Sequence, residues 1–335
     1  MMNIKKVSAV KILGTGSYLP ERVVTNDDLS KTLDTSDEWI YSHTGIRSRH
    51  FAAQNESSSV LGVKAARVAL KAANVKPGEI DLVLCATSTP DYGNFPSTAS
   101  LIQASLGCTN AAAFDLAAAC SGFVYGLEMA RSYAACRENA KVLVIGAEVL
   151  TRSVDWTERN VSILFGDGAG AVVLGTADDD SAERSHSILG SDGTGYEFIY
   201  REGGLKREPP TSKVWPVPYM QMQGRSVFNF AVRKLDELIT KLCTDDGITP
   251  SSLARIYAHQ ANARILEAVA RRMRVSYEMF YSNIETTGNT SSASVAIILD
   301  LAVRAGELKD GDKIALAGFG AGLTWAGILM RWPYL

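Results

Sequence analysis

The chain has 335 residues, 46% of them hydrophobic and 21% charged, with a formal net charge of −2. Such a composition excludes disorder and gives no bulk reason to expect a nucleic-acid partner, while the length allows one large fold of two halves with an ample core. Five scattered cysteines, Cys85, Cys108, Cys120, Cys136 and Cys243, show no C-x-x-C spacing. An odd, scattered set fits reduced thiols better than a disulfide framework or a zinc site, so no metal is expected. The first ten residues lack the apolar core of a secretory signal, and no run approaches the roughly 18 apolar residues of a bilayer span. The expectation is a cytoplasmic protein of bacterial type without a membrane partner.

Strand-like runs and amphipathic helices alternate along the chain, which gives an α/β class. A strand is expected at 10–13. A helix follows over 60–73, where Leu61, Ala65, Val68, Ala69 and Ala72 recur at helical spacing before a stop at Lys76-Pro77-Gly78. Next come a strand at 80–85, a loop and helix, and Cys120 opening a helix over 121–133. Strands at 141–146, 168–174 and 187–189 close this part. The stretch 205–222 carries four prolines and reads as a long loop, either a cover over a site or an exposed insertion. The later part begins with a strand at 255–258 and a helix in which Leu266, Val269, Ala270 and Met273 keep helical spacing. Asn289 then opens a helix over 291–302, and strands follow at 313–317 and 326–330.

This layout carries a weak internal duplication, with halves at 1–180 and 181–335. Cys120 and Asn289 hold corresponding places, each opening a helix roughly twenty residues before a buried strand. Duplicated halves would bring both to one central junction, a common location for a ligand site.

Three residues could do chemistry there. Cys120, in Ala-Ala-Ala-Cys-Ser-Gly-Phe, sits where a helix N-terminus favours a thiolate and lowers its pKa. Taken alone, a cysteine among alanines is more often a small core residue. His259 ends a strand in His-Gln-Ala-Asn, placed to donate a hydrogen bond or exchange a proton in a cleft, or else to satisfy a backbone group. Asn289, in Thr-Thr-Gly-Asn-Thr-Ser-Ser-Ala-Ser, caps a helix or offers a neutral N–H donor to a developing enolate. The glycine strings at 165–170 and 318–325 lack the G-x-x-x-x-G-K-[ST] pattern, so nucleotide binding by either is disfavoured. An exposed amide in the second could complete an oxyanion hole.

Together, Asp34-Thr35-Ser36-Asp37-Glu38-Trp39-Ile40, Thr44-Gly45-Ile46-Arg47, Cys120-Ser121-Gly122-Phe123, Phe165-Gly166-Asp167-Gly168-Ala169-Gly170, His259-Gln260-Ala261-Asn262, Gly288-Asn289-Thr290-Ser291 and Gly318-Phe319-Gly320-Ala321-Gly322 closely resemble β-ketoacyl-acyl-carrier-protein synthase III, from about residue 11 to 331. The resemblance implies a thiolase-like fold of two similar halves in five αβαβα layers, a homodimer, and no cofactor beyond its substrates. It makes Cys120 the nucleophile that takes an acyl group, most often acetyl, from acyl-CoA. His259 and Asn289 then support decarboxylative condensation with malonyl-acyl-carrier protein, giving a 3-oxoacyl-acyl-carrier protein that starts type II fatty acid synthesis. The oxyanion hole falls to the backbone N–H groups of Cys120 and Ala321. Trp39 and Arg159 match residues that sandwich the adenine of CoA, with Thr35 nearby, Asn262 on the pantetheine arm and Phe319 in the substrate site. Phe95 matches an aromatic residue that reaches across the dimer interface and limits the acyl pocket.

An acidic carrier protein calls for a basic dock. Arg264 and Arg271, seven apart on one helix face, with Arg272 beside them, match it; a solvated helix face is the alternative. His43 stands where relatives often carry an arginine near CoA, and Asn229 replaces a lysine of the dock. The chain order Cys…His…Asn also occurs in papain-like hydrolases, but the C-G-[SA]-C-[WY] signature is missing. Related thiolase-fold acyltransferases and polyketide starter synthases are nearer rivals.

Overall fold

A computed structural model describes residues 8–177, 185–202 and 219–335. In chain order the first part lays down β1 (Ala9–Tyr18), a ribbon of β2 (Arg22–Thr25) and β3 (Ser48–Phe51), then β4 (Leu82–Ala86), β5 (Ala112–Leu116), β6 (Lys141–Val149) and β7 (Asp167–Ala177). The second adds β8 (His186–Ser191), a ribbon of β9 (Ile199–Arg201) and β10 (Met220–Met222), then β11 (Arg255–Ala258), β12 (Lys313–Gly320) and β13 (Thr324–Arg331). Two sheets result, ordered β1-β7-β6-β4-β5 and β8-β13-β12-β11. In the first, β4 pairs parallel with both β5 and β6, and β6, β7 and β1 pair antiparallel; in the second, β11 pairs parallel with β12, and β12, β13 and β8 pair antiparallel. The second sheet therefore repeats the first without a counterpart of β5 among the described residues.

The helices are α1 (Asn26–Ser30), α2 (Asp37–Thr44), α3 (Ser58–Ala73), α4 (Thr98–Leu106), α5 (Gly122–Ala135), α6 (Arg159–Ser162), α7 (Gly224–Asp245), α8 (Ala263–Met273), α9 (Ile284–Thr287) and α10 (Ala293–Arg304). α3 and α4 cover the outer face of the first sheet, and α7 with α8 that of the second. α5 and α10 touch both sheets and form the middle layer. The order is αβαβα, as the resemblance implies. α10 is buried continuously from Ala293 to Asp300, and its buried carboxylate, Asp300, accepts the Thr15 hydroxyl at 2.8 Å and the Ser17 hydroxyl at 2.6 Å from β1. It lies flat on the first sheet because Gly146 in β6 has no Cβ: one there would stand 2.5 Å from the Ser292 carbonyl oxygen.

Several expected boundaries shift. Cys120 does not open a helix directly. It sits in a 3₁₀ turn over Ala119–Ser121, and α5 starts at Gly122. The helix after Asn289 begins at Ala293, because Ser291 takes a left-handed φ of 48° that an α-helix cannot contain. Of the expected loop at 205–222, residues 205–218 lie outside the described residues, and Met220–Met222 is a strand paired with β9, not loop. The boundary proposed at 180/181 likewise falls outside the described residues. No helix among them is long and apolar enough to cross a membrane.

Candidate active site

Cys120, His259 and Asn289 line one cavity of about 340 Å³. Three structural elements deliver them: the turn before α5, the end of β11 and the segment before α10. The equivalent placement of Cys120 and Asn289 ahead of the two middle helices is the junction that the duplication anticipates.

The turn around Cys120 is tightly set. Ala119 before it has a φ of 44°, a left-handed conformation costly for a residue with a side chain. The end of β12 passes against it: a Cβ on Gly320 would fall 2.6 Å from the Cys120 nitrogen and one on Gly318 would fall 3.0 Å from the Ser121 Cα. Only glycine permits this approach, which holds the backbone that follows, at Ala321 on the cavity wall, beside the nucleophile turn. Gly320→Ala is expected to destabilise the fold by about 1–3 kcal/mol through backbone overpacking and to slow acylation, read from the denaturant midpoint and from CoA release.

The helix-start argument anticipates a thiol pKa below the usual value. Burial acts the other way and is larger: it pushes the Cys120 thiol up to about 12, against a lowering hydrogen bond from the Ser291 side chain. One part of the side chain faces the cavity, yet the sulfur is enclosed enough to be a neutral thiol at rest. A thiol in that state could attack a thioester only after giving up its proton.

His259 is buried, and burial holds its pKa down to about 3, so the imidazole is neutral at physiological pH. Nδ1 lies 2.7 Å from the Ser294 Oγ. Among the described residues the Ser294 hydroxyl has no other acceptor, so its proton is assigned to Nδ1, while the same oxygen accepts the Gln260 N–H at 3.4 Å. The ring proton is then on Nε2, which makes His259 a neutral donor. The Phe319 ring meets the imidazole edge-on, with centroids 5.1 Å apart. Ser294→Ala releases this tautomer, and malonyl decarboxylation is expected to slow on the order of ten-fold with little change in KM. Comparing kcat with KM for that half-reaction checks it.

Asn289 is not the N-cap of α10. Its carboxamide oxygen accepts the Ser291 N–H at 2.8 Å within the preceding turn, which leaves the Nδ2 protons free to donate. Its backbone is clamped from both sides, by the Leu164 carbonyl at 2.8 Å and the Gly166 N–H at 3.0 Å.

Trp39, Asn262, Phe319 and Ala321 also line the cavity. The Arg159 guanidinium stacks on the Trp39 ring at 4.5 Å, and the His43 ring stacks on Trp39 at 4.3 Å. A planar base entering between Trp39 and Arg159 would have to displace the guanidinium, which also donates to the Asp34 carbonyl at 2.6 Å. The buried Thr35 hydroxyl oxygen has no hydrogen-bond partner among the described residues. Asn262 caps α8 through its carboxamide oxygen and donates to the His43 carbonyl at 3.2 Å. Phe95 does not line the cavity of its own chain and is 92% exposed. Among the three arginines, Arg264 pairs with Glu267, Arg272 pairs with Asp236 at 2.9 Å, and Arg271 is exposed with no ion pair among the described residues. No group of three or more His, Cys, Asp or Glu side chains among the described residues is placed to hold a metal.

The first of two family models, 3-oxoacyl-[acyl-carrier-protein] synthase III, matches residues 114–193, and the second, its C-terminal model, matches residues 243–332. A "Beta-ketoacyl-[acyl-carrier-protein] synthase III" of Caldanaerobacter subterraneus subsp. tengcongensis is 45% identical over 97% of this chain and 98% of the relative. The chain belongs to the β-ketoacyl-acyl-carrier-protein synthase III family. These are condensing acyltransferases of thiolase fold. The solved synthase III of Aquifex aeolicus VF5 superposes with a TM-score of 0.89 at 41% identity, covering 96% of this chain and 100% of the other. A priming β-ketosynthase from the R1128 polyketide pathway, 37% identical, gives 0.91 over 99% and 98%.

Ser294 escapes a reading of motifs. Ser294 lies 35 residues beyond His259 on a different element. Its one sequence signal is a hydroxyl within the apolar first two turns of α10, 293–299.

Proposed function

We propose that the chain moves an acyl group, acetyl in the simplest case, from acyl-CoA to Cys120 and condenses it with malonyl-acyl-carrier protein. The products are 3-oxoacyl-acyl-carrier protein, CoA and CO₂, and the reaction opens type II fatty acid synthesis. First, the Cys120 sulfur attacks the acyl-CoA carbonyl and CoA leaves, dividing a difficult transfer into two easier ones. Backbone N–H groups of Cys120 and Ala321 hold the tetrahedral oxyanion. Second, the malonyl thioester oxygen accepts hydrogen bonds from His259 Nε2 and Asn289 Nδ2. The carboxylate departs as CO₂ and the electron pair left behind becomes an enolate. Two neutral donors stabilise that charge strongly because the site is largely closed to water. The enolate carbon then bonds to the acyl carbon, and Cys120 leaves. No cofactor enters this scheme.

The observation that carries the reading is the pairing of an acyl-accepting thiol with two neutral, fixed hydrogen-bond donors on one cavity wall. A hydrolase would need its histidine to shuttle a proton, and a ring held neutral down to about pH 3 is poorly suited to that. Trp39, Arg159, Thr35, Asn262 and Phe319 are assigned to CoA and its arm. Arg271, with Arg264 and Arg272, is assigned to the carrier protein. The exposed rings of Tyr92 and Phe95 on one loop support a homodimer in which Phe95 bounds the partner's acyl pocket. The halves divide near residue 180, and free cysteines agree with a reducing cytoplasm.

The test is incubation with acetyl-CoA and malonyl-acyl-carrier protein, following CO₂ and the mass of the carrier. A gain matching 3-oxobutanoyl on the carrier supports the proposal. Free acetate with an unchanged malonyl carrier contradicts it.

A further inference from the structure

We infer that Arg49 is the positioning residue for Asn289, holding the backbone segment to which the Asn289 main chain is tied. The inference rests on Asn289 donating to the malonyl thioester oxygen, and adds the group that keeps that donor in place.

Arg49, in β3, is fully buried and forms no ion pair among the described residues. Its guanidinium donates instead to uncharged oxygens. One terminal nitrogen reaches the Asn26 carboxamide oxygen at 2.7 Å and the Val24 carbonyl at 3.3 Å, and the other reaches the Ile163 carbonyl at 2.8 Å. Nε has no partner among the described residues. Burial draws the Arg49 pKa down to about 10, with Asp37 the carboxylate in range, so the side chain is still a cation at physiological pH. A buried charge without a counter-ion destabilises a fold relative to an apolar side chain. What an apolar side chain cannot supply here is the planar fork.

Both ends of this side chain bear on the strip of backbone beside Asn289. The fork holds the Ile163 carbonyl. The next carbonyl, of Leu164, accepts the Asn289 N–H at 2.8 Å, and the Gly166 N–H donates to the Asn289 carbonyl at 3.0 Å. At the other end the Arg49 Cβ packs against the same bridge from its two sides. A Cβ built on Gly166 would stand 3.1 Å from it, and one on Gly288 would stand 3.3 Å from it. Gly288 has a φ of 62° and directly precedes Asn289. Arg49 does not line the cavity, so its effect on the Asn289 carboxamide passes through this backbone.

Asn26 extends the constraint to the helix of Trp39. Its oxygen accepts from Arg49, while its nitrogen donates to the Ile46 carbonyl at 2.7 Å and to the Asp37 carboxylate at 2.9 Å. The neighbours assign that orientation, because the guanidinium can only donate and the carbonyl and carboxylate can only accept. Asp37 opens α2, and its second oxygen accepts from Arg47 at 2.7 Å. Hydrogen bonds therefore run without a gap from α2 through Asn26 and Arg49 to Ile163, one residue from the carbonyl that holds Asn289.

The test is a double-mutant cycle on decarboxylation of malonyl-acyl-carrier protein, followed as CO₂ release, with Arg49→Met and Asn289→Ala. Methionine keeps an unbranched stem and loses the fork and the charge. Arg49→Met is expected to lower kcat for decarboxylation up to about 10²-fold, with KM and the rate of Cys120 acylation by acetyl-CoA each within about three-fold of wild type. In the Asn289→Ala background the same change should lower decarboxylation by less than about three-fold, because the donor that Arg49 positions is already gone. A merely structural role would give the same loss in both backgrounds. That result would overturn the inference, as would an equal loss of acylation, or decarboxylation in Arg49→Met within about two-fold of wild type. If Arg49→Met does not fold, Arg49→Lys, which keeps stem and charge and loses the fork, is judged by the same criteria. A wild-type protein that releases no CO₂, or an Asn289→Ala variant that releases it undiminished, would instead overturn the role of Asn289 in the proposed function, and this inference with it.

Discussion

Replacing Cys120 by alanine is expected to remove acyl adduct and condensation together, with kcat lower on the order of 10⁶-fold, the scale of nucleophile deletions in acyl-enzymes. Alanine is small enough for the same turn, and the constraints that set the turn, from Ala119 and the β12 glycines, act on the backbone. The variant should therefore fold normally, with a melting temperature close to that of the wild type. Malonyl decarboxylation should survive in it, because the His259 and Asn289 donors do not depend on the sulfur. Condensation measured by product mass, alongside CO₂ release, separates the two. Retained condensation in this variant would remove Cys120 from the mechanism.

His259→Ala and Asn289→Ala are expected to behave in the opposite way. Each should acylate near the wild-type rate while decarboxylation falls by roughly 10²–10³-fold, the usual cost of one oxyanion donor. The pair acts on one oxygen, so the double variant should lose less than the sum of the two. The low pKa of His259 adds a pH statement. Because the neutral ring is the working form, protonation of His259 should not limit decarboxylation until pH approaches about 3. Stability carries the opposite sign. The unfolded histidine takes up a proton near pH 6.5 and the folded one does not until about pH 3, so folding weakens as pH falls through that window. The slope from this group is at most about 1.4 kcal/mol per pH unit. His259→Ala should flatten that slope in denaturant titrations. If both variants stop acylation as fully as Cys120→Ala, the division of roles is wrong.

Much of this arrangement was legible in the residue pattern, and the remainder has physical reasons. β11 was placed to the residue, since its apolar run is short and sharply bounded. β1, β6, β7 and β12 run well past the expected stretches, which stop at or just before Gly14, Gly146, Gly175 and Gly318, because these glycines look like breakers but here mark close approach. α7 went unassigned although Leu235, Leu238, Ile239 and Leu242 carry a clear helical stripe; its polar opposite face and the proline-rich stretch before it masked the signal. The catalytic candidates were found because strand ends and helix starts are recognisable locally. The thiol's raised pKa was not, because helix position argues for one direction and burial, visible only in three dimensions, wins in the other. Ser294 belongs to the same class. Its partner, His259, is 35 residues away, and a buried serine within an apolar segment has no local pattern that states its partner.

The most direct test of the central claim is the intact mass of the purified protein after exposure to a panel of acyl-CoAs, followed by a chase with malonyl-acyl-carrier protein. The account predicts one acyl adduct, localised to Cys120, which the chase discharges as a 3-oxoacyl product, with the most complete adduct identifying the preferred primer. An adduct that persists through the chase, or no adduct from any acyl-CoA, would contradict it.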